Sequence, residues 1–122
     1  MKFYYNGKLI RTSKNHIYTH AVINKETGKL IGCRKSLELA EAIKTEQINR
    51  FYHGIATHEA EIEALKAGKK GIWLKDGRHS WYKEFTDIHT VEYFEECIES
   101  LKRSIEKVSE NWEIVELEAR EN

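Results

Sequence analysis

The sequence contains no apolar run near the roughly 20 residues that a membrane-spanning helix needs, and its opening, MKFYYNGK, lacks the apolar core of a signal peptide. Its two cysteines, Cys33 and Cys97, are 64 residues apart and form no CxxC pattern. In a reducing compartment such thiols are usually small buried hydrophobic side chains. These absences predict a cytoplasmic protein without a disulfide.

Signatures of catalysis and of metal binding are also missing. The segment GKKG at 68–71 is not a Walker A loop, because it lacks both the earlier glycine and a following Lys-Ser or Lys-Thr pair. His16 and His20 are four residues apart on an expected strand, hence about 13 Å apart and too distant to share one ion. Partners of a Cys/His or Ser/His pair meet only in space, so sequence alone leaves such a pair open. We expect a protein that is not an enzyme and that carries no metal and no cofactor.

Charge is balanced in total but uneven along the chain. Twenty basic and 20 acidic residues give a net charge of zero, which gives no support to binding of bulk nucleic acid or of anionic membranes. Residues 1–35 contain eight basic and one acidic residue (+7), and residues 66–83 contain six basic and one acidic residue (+5). Residues 36–65 contain two basic and six acidic residues (−4), and residues 84–122 contain four basic and twelve acidic residues (−8). Local anion sites are therefore compatible with the zero total. The opposite charges of the two ends, together with edge strands such as 112–119, also predict a homo-oligomer.

A chain of 122 residues with 40% hydrophobic side chains is sufficient for one domain, residues 1–122. Three turn signals lie between runs of β-favouring residues: Asn6-Gly7, the segment 26–28 and Asp76-Gly77. Each predicts a hairpin, the second joining strands near 17–23 and 29–33, although the third segment also suits an ordered loop.

Helical spacing begins after Ser36, which is a plausible N-cap. The pattern predicts a helix that ends near Gly54 and another that Thr57 caps and Gly68 terminates, although one kinked helix remains an alternative. Thr90 is expected to cap a further helix that ends at Asn111, and WEIVELEA has the composition of a strand. The expected fold class is α+β, with short antiparallel strands and hairpins and two to three helices packed on one face.

The first candidate binding site is Arg34, Lys35 and Ser36, where a strand leads into a helix. Free amides and the positive dipole end of a helix attract anions, and the two bases would add charged contacts to a phosphate. The alternative is that both bases are solvated loop residues beside an ordinary cap.

The second candidate site combines cations with aromatic rings. Such a combination can stack a base and neutralise its phosphates. The residues are Lys69, Lys70, Trp73, Arg78, Trp81 and Tyr82. The alternative is that both tryptophans belong to the core of a hairpin, because strand alternation produces that arrangement unaided.

Three segments, MKFYYNGKLIRTS, YTHAVINKETGKLIGCRKS and NWEIVELEAR, give the chain a resemblance to small bacteriophage and prophage proteins. Proteins of that kind often antagonise host defence. In size and mixed α+β character the chain is similar to the Thoeris anti-defence sponges, which trap cyclic ADP-ribose isomers as oligomers. The resemblance implies a nucleotide sponge, and we expect a protein that sequesters an anionic, nucleotide-like signalling molecule in the host cytoplasm.

Two other functions suit the charge pattern. The acidic helix, with Glu92, Glu95, Glu96 and Glu99, could bind and inhibit a host defence protein. The basic N-terminal strands could bind nucleic acid without sequence preference, but the acidic half of the chain disfavours this alternative.

Overall fold

Eight strands and two helices make up the protein, whose computed structural model describes Met1–Glu121. In chain order they are β1 (Lys2–Tyr5), β2 (Lys8–Thr12), β3 (His20–Asn24), β4 (Leu30–Arg34), α1 (Leu37–Lys66), β5 (Gly71–Asp76), β6 (His79–Glu84), α2 (Val91–Asn111), β7 (Trp112–Glu116) and β8 (Glu118–Arg120). All strand pairs are antiparallel. The α+β class is confirmed, with two helices.

Each predicted hairpin forms at its expected turn. Asn6 and Gly7 both have positive φ, 50° and 75°, which is the backbone that a two-residue turn matching the strand twist requires. Gly28 and Gly77 have positive φ at the second and third turns. Strand β3 begins at His20 rather than near Ile17, so the alternation of side chains indicated a longer strand than the one that forms.

A single helix, α1, occupies the region where two helices were predicted. The expected end near Gly54 and the expected cap at Thr57 are both wrong: Thr57 donates from Oγ1 to the carbonyl of His53, inside the helix. A Cβ on Gly54 would lie 3.0 Å from Cδ1 of Leu101, so the missing side chain lets α2 approach closely. That packing offsets the cost of about 1 kcal/mol that glycine imposes on a helix interior.

The structure divides into two compact units, Met1–Ile48 with Glu106–Asn122, and Asn49–Ile105. We describe each by itself, and the expectation of one domain over 1–122 stays a prediction.

In the first unit, two three-stranded sheets have the orders β2-β1-β8 and β4-β3-β7. The predicted C-terminal strand is two strands, β7 on β3 and β8 on β1, with Leu117 between them donating its amide to the carbonyl of Thr19 at 2.9 Å. Ala21, Cys33 and Val115 are buried together at the centre of this unit. The C-terminal segment thus supplies an outer strand to both sheets.

In the second unit, the hairpin β5-β6 packs with parts of α1 and α2. Ile55, Ala64, Phe94 and Ile98 are its buried apolar side chains. In α2, Thr90 caps the first turn by accepting a hydrogen bond from the amide of Tyr93 at 3.1 Å, as predicted. None of the helices described is both long and apolar enough to cross a membrane.

Replacement of Thr90 by alanine removes this cap, and we expect the free energy of unfolding to fall by about 1 kcal/mol. Urea denaturation followed by circular dichroism measures the change. Thr90→Ser, which keeps the hydroxyl, should stay within about 0.5 kcal/mol of the wild type. Equal losses in the two variants would contradict the assignment of the cap.

Candidate ligand-binding surface

The hairpin β5-β6 carries the aromatic residues of the second candidate site on two opposite faces. Trp73 lies directly opposite Tyr82, and Leu74 lies opposite Trp81. Side chains of directly opposed residues share a face, and successive residues alternate between faces. Trp73 and Tyr82 therefore lie on one face and Trp81 on the other.

Trp73 and Tyr82 form an exposed pair. Trp73 is 69% exposed and Tyr82 is 49% exposed, with ring centroids 5.6 Å apart and planes inclined by 56°. Gly71 leaves room for this pair, because a Cβ there would collide with the Tyr82 ring and the carbonyl of Lys83. The face of the hairpin that carries Trp73 and Tyr82 is called the aromatic face below.

Trp81 is exposed as well, to 40%, and stacks on His79 with centroids 5.3 Å apart. The alternative that both tryptophans belong to a hairpin core is wrong. The structure does not bring Trp81 to Trp73, because the register separates them onto different faces.

Four exposed cations lie along the hairpin and its approach. Lys69 and Lys70 precede β5, Lys75 shares the aromatic face by alternation, and Arg78 follows Gly77 in the turn. The ion pairs found within Met1–Glu121 involve none of these four side chains. Glu84 is the one acidic residue that the register places on the aromatic face.

The position of Lys69 and Lys70 follows from the end of α1. Gly68, with φ of 75°, turns the chain, while the amide of Lys69 donates to the carbonyl of Ala64 at 3.0 Å. The carbonyl of Lys70 then accepts from the amide of Phe85. Both lysines are thereby held at the open end of the hairpin. Beside them, Lys69 and Glu63 contribute to the lining of a shallow concavity of about 420 Å³, with Ala60, Ala64, Ala67 and Ile72.

The opposite face of the hairpin is fastened to α1 by a buried carboxylate that the sequence did not reveal. Glu61 is 1% exposed, and its two oxygens accept from Nζ of Lys83 at 2.6 Å and from Nδ1 of His58 at 3.0 Å. Nζ of Lys83 also lies 5.1 Å from the centroid of Phe94, on which His58 stacks. The spacing of His58 and Glu61 places them on one side of a helix, but nothing in the sequence marks Glu61 as buried.

Both carboxylate oxygens of Glu61 have hydrogen-bond partners in this cluster. No buried side-chain polar atom within Met1–Glu121 lacks a hydrogen-bond partner. The same residues contain no group of three or more His, Cys, Asp or Glu side chains arranged to hold a metal ion. Glu61, His58 and Lys83 therefore act as a structural contact that orients β6.

The first candidate site lies in the first unit. Ser36 caps α1, with its Oγ accepting from the amide of Leu39 at 3.2 Å, and Lys35 is exposed. Arg34 is exposed and donates from Nη1 to the carbonyl of Cys33 at 2.7 Å. The Ser36 hydroxyl is thus engaged in the cap, as the alternative interpretation expects, while the charges of Arg34 and Lys35 face solvent.

A further cation, Arg11, lies near Cys33, the residue before Arg34, and sequence analysis did not identify it. Its guanidinium lies 5.7 Å from the centroid of Tyr18, and it shares with Arg34 an electrostatic effect on the thiol of Cys33. Burial raises the pKa of that thiol, and the two guanidinium charges lower it by a smaller amount. β2, which carries Arg11, and β4, which ends at Arg34, are distant in sequence and belong to different sheets, so no local pattern could have identified Arg11.

No protein-family model, curated protein or solved structure matches this chain. Its function is therefore argued from the geometry of the two candidate sites.

Removal of the Lys83 charge should destabilise the fold. Lys83→Met leaves the buried carboxylate of Glu61 with His58 alone, and we expect a loss of about 2 to 3 kcal/mol in the free energy of unfolding, reduced from a full burial penalty because Lys83 is partly exposed. Lys75→Met, on the aromatic face, is the matched control and should change stability by less than about 0.5 kcal/mol. Urea denaturation measures both, and similar losses would contradict the structural role of Glu61.

Cys33 should react slowly with alkylating reagents. Its raised pKa and 2% exposure leave little accessible thiolate, so iodoacetamide at pH 8 should label Cys33 at least about tenfold more slowly than Cys97. Because the folded thiol keeps its proton at an alkaline pH where the unfolded thiol loses it, rising pH should favour unfolding. Peptide mass spectrometry after timed labelling gives the rates. Equal rates in the folded protein, or unequal rates in urea, would contradict the account.

Proposed function

We propose that this protein is a non-catalytic binding protein that captures a small, anionic, nucleotide-like ligand on the aromatic face of β5-β6. The observation that carries the proposal is the side-by-side exposure of Trp73 and Tyr82. Large aromatic side chains that remain in water on a strand pair cost solvation free energy, so their exposure favours a surface that a ligand covers.

The chemistry of the surface suits a base with attached phosphates. Stacking of one base on an aromatic side chain contributes about 1–3 kcal/mol and requires an accessible ring face, which Trp73 offers. Lys75 supplies positive charge on the same face as that ring, and Lys69 and Lys70 add exposed positive charge just before β5. A ligand that combines a planar base with phosphate is thereby favoured over a neutral base or a simple anion.

The geometry of the two rings limits how a base could bind. A base held between two rings needs about 7 Å between them, twice the carbon contact distance of about 3.5 Å. The centroids of Trp73 and Tyr82 are 5.6 Å apart, which is too close. We therefore expect the base to stack on the outer side of Trp73, with Tyr82 against the edge of Trp73.

Capture without chemistry needs binding energy alone and no acid or base aligned for bond cleavage. The buried carboxylate of Glu61 in the second unit is engaged with the half-buried side chains of His58 and Lys83. That engagement supports sequestration over turnover. In the phage-type setting that the sequence resemblance implies, the ligand would be a cyclic ADP-ribose type signal in the host cytoplasm, and its removal would antagonise defence.

Arg34, Lys35 and Ser36, with Arg11, remain a second proposed anion site in the first unit. The exposed charges of the basic side chains support this site. Because the Ser36 hydroxyl is engaged in the helix cap, direct contacts with a ligand would come from Arg34, Lys35 and Arg11. Arg78 and the remaining members of the second site keep their proposed role as ligand contacts at the hairpin, except that Trp81 lies on the face opposite Trp73 and Tyr82.

Trp73→Ala tests the proposal. Isothermal titration with cyclic ADP-ribose and with cyclic oligonucleotides should give micromolar or tighter binding to the wild type, and Trp73→Ala should weaken it at least about tenfold through lost stacking. Trp81→Ala, on the opposite face of the same hairpin, should weaken binding less than Trp73→Ala. Absence of binding to the wild type, or equal effects of the two substitutions, would overturn the proposal.

A second function rests on α2. Glu92, Glu95, Glu96 and Glu99 line a shallow concavity of about 520 Å³ with Arg103 as its one cation. Such a surface is complementary to a basic protein face and supports inhibition of a host protein. A stoichiometric partner from a bacterial lysate that is lost at high salt and lost on Glu95→Lys would favour this function over ligand capture.

A further inference from the structure

The outer strands of the two sheets in the first unit are β2, β8, β4 and β7, and of these β2 and β7 each carry two exposed charges of one sign. β2 pairs only with β1, and β7 pairs only with β3. No other backbone hydrogen bond within Met1–Glu121 involves the outer side of either strand. Such an edge offers unpaired N–H and C=O groups to another strand.

The two edges have complementary sequences. Residues 8–11 of β2 read KLIR, and residues 113–116 of β7 read EIVE. Both follow the order charged, apolar, apolar, charged, with bases in one strand and acids in the other. Whether the strands run parallel or antiparallel, each base lies opposite an acid and each apolar residue opposite an apolar residue.

The four charges are available for this contact. Lys8, Arg11, Glu113 and Glu116 are all exposed, and the ion pairs found within Met1–Glu121 do not include them. Leu9, between the two bases, is 46% exposed.

Other pairings of the free edges are less favourable. β2 against β2 would place bases opposite bases, and β7 against β7 would place acids opposite acids, which destabilises strand pairing. β8 offers less charge, because Arg120 binds Glu118 through two hydrogen bonds of 3.2 Å within the same strand.

We propose that this protein binds a second copy of itself by pairing β2 of one copy with β7 of the other. The contact joins unlike surfaces, so it closes into a dimer or ring, or extends, according to the rotation between copies. The inference does not depend on the ligand proposed for the aromatic face, because neither strand belongs to that face, although Arg11 is shared with the second proposed anion site.

Paired charge reversals test this interface. Sedimentation velocity across a concentration series should show a self-associating wild type whose assembly weakens with added salt. Lys8→Glu with Arg11→Glu makes both edges acidic, and Glu113→Lys with Glu116→Lys makes both basic. Each double variant should raise the dissociation constant at least about tenfold. Glu41→Lys with Glu46→Lys, two exposed positions on α1, gives the same charge change as the β7 variant but away from the edges, and it should assemble like the wild type.

Mixing the two edge variants is the decisive test of the pairing between β2 and β7. The acidic β2 of one variant now complements the basic β7 of the other, so an equimolar mixture should assemble while each variant alone does not. Circular dichroism confirms that both are folded before mixing. A monomeric wild type at about 100 μM, an unchanged mass of both edge variants, or a mixture that stays monomeric while folded would overturn the proposal.

Discussion

The hydrogen-bonded contact of Lys83 with the buried carboxylate of Glu61 is the interaction on which the second unit depends. It fastens β6 to α1 at 2.6 Å and is supported by His58 on the other carboxylate oxygen. The ring of Phe94 in α2 contacts both Lys83 and His58, so one cluster links β6 and both helices. A charge at 1% exposure is costly unless it is paired, and the pairing here selects one face of the hairpin as the inner face.

Because one face of the hairpin packs against α1, the side chains on its other face are exposed to solvent. Lys83 and Tyr82 are adjacent in β6, so when Lys83 points toward α1 the alternation of the strand directs Tyr82 away from it. Trp73, opposite Tyr82, follows it outward. The exposed aromatic pair is thus a consequence of a buried ion pair on the reverse side, and the proposed binding function rests on that link.

Local signals predicted most of the fold. Asn6-Gly7, Gly28 and Asp76-Gly77 fixed the hairpin turns because positive φ strongly restricts the residue types, and Ser36 and Thr90 marked helix starts because their hydroxyls replace missing acceptors. The helix end predicted near Gly54 is wrong because the glycine there allows close packing of Leu101 from α2, a contact that the local sequence does not show. The split of the C-terminal strand, the burial of Glu61 and the position of Arg11 also depend on long-range contacts that no local pattern encodes.

The candidate sites, like the fold, were predicted from local sequence only in part. The sequence identified the cations and aromatic residues of β5-β6, but it left open whether the tryptophans faced core or solvent, because strand alternation alone does not say which face is covered. The structure places Trp73 and Trp81 on different faces, both exposed.

The protein's three tryptophans provide the most direct test of the central claim, because Trp73, Trp81 and Trp112 lie on the aromatic face, on its reverse and on β7 respectively. In a ¹⁵N-correlated NMR spectrum each indole N–H gives its own signal, so a titration with cyclic ADP-ribose reports on all three surfaces together. The account predicts that the Trp73 signal shifts most and saturably while the Trp112 signal stays in place. A ligand that moves none of the signals, or that moves Trp112 rather than Trp73, would contradict it.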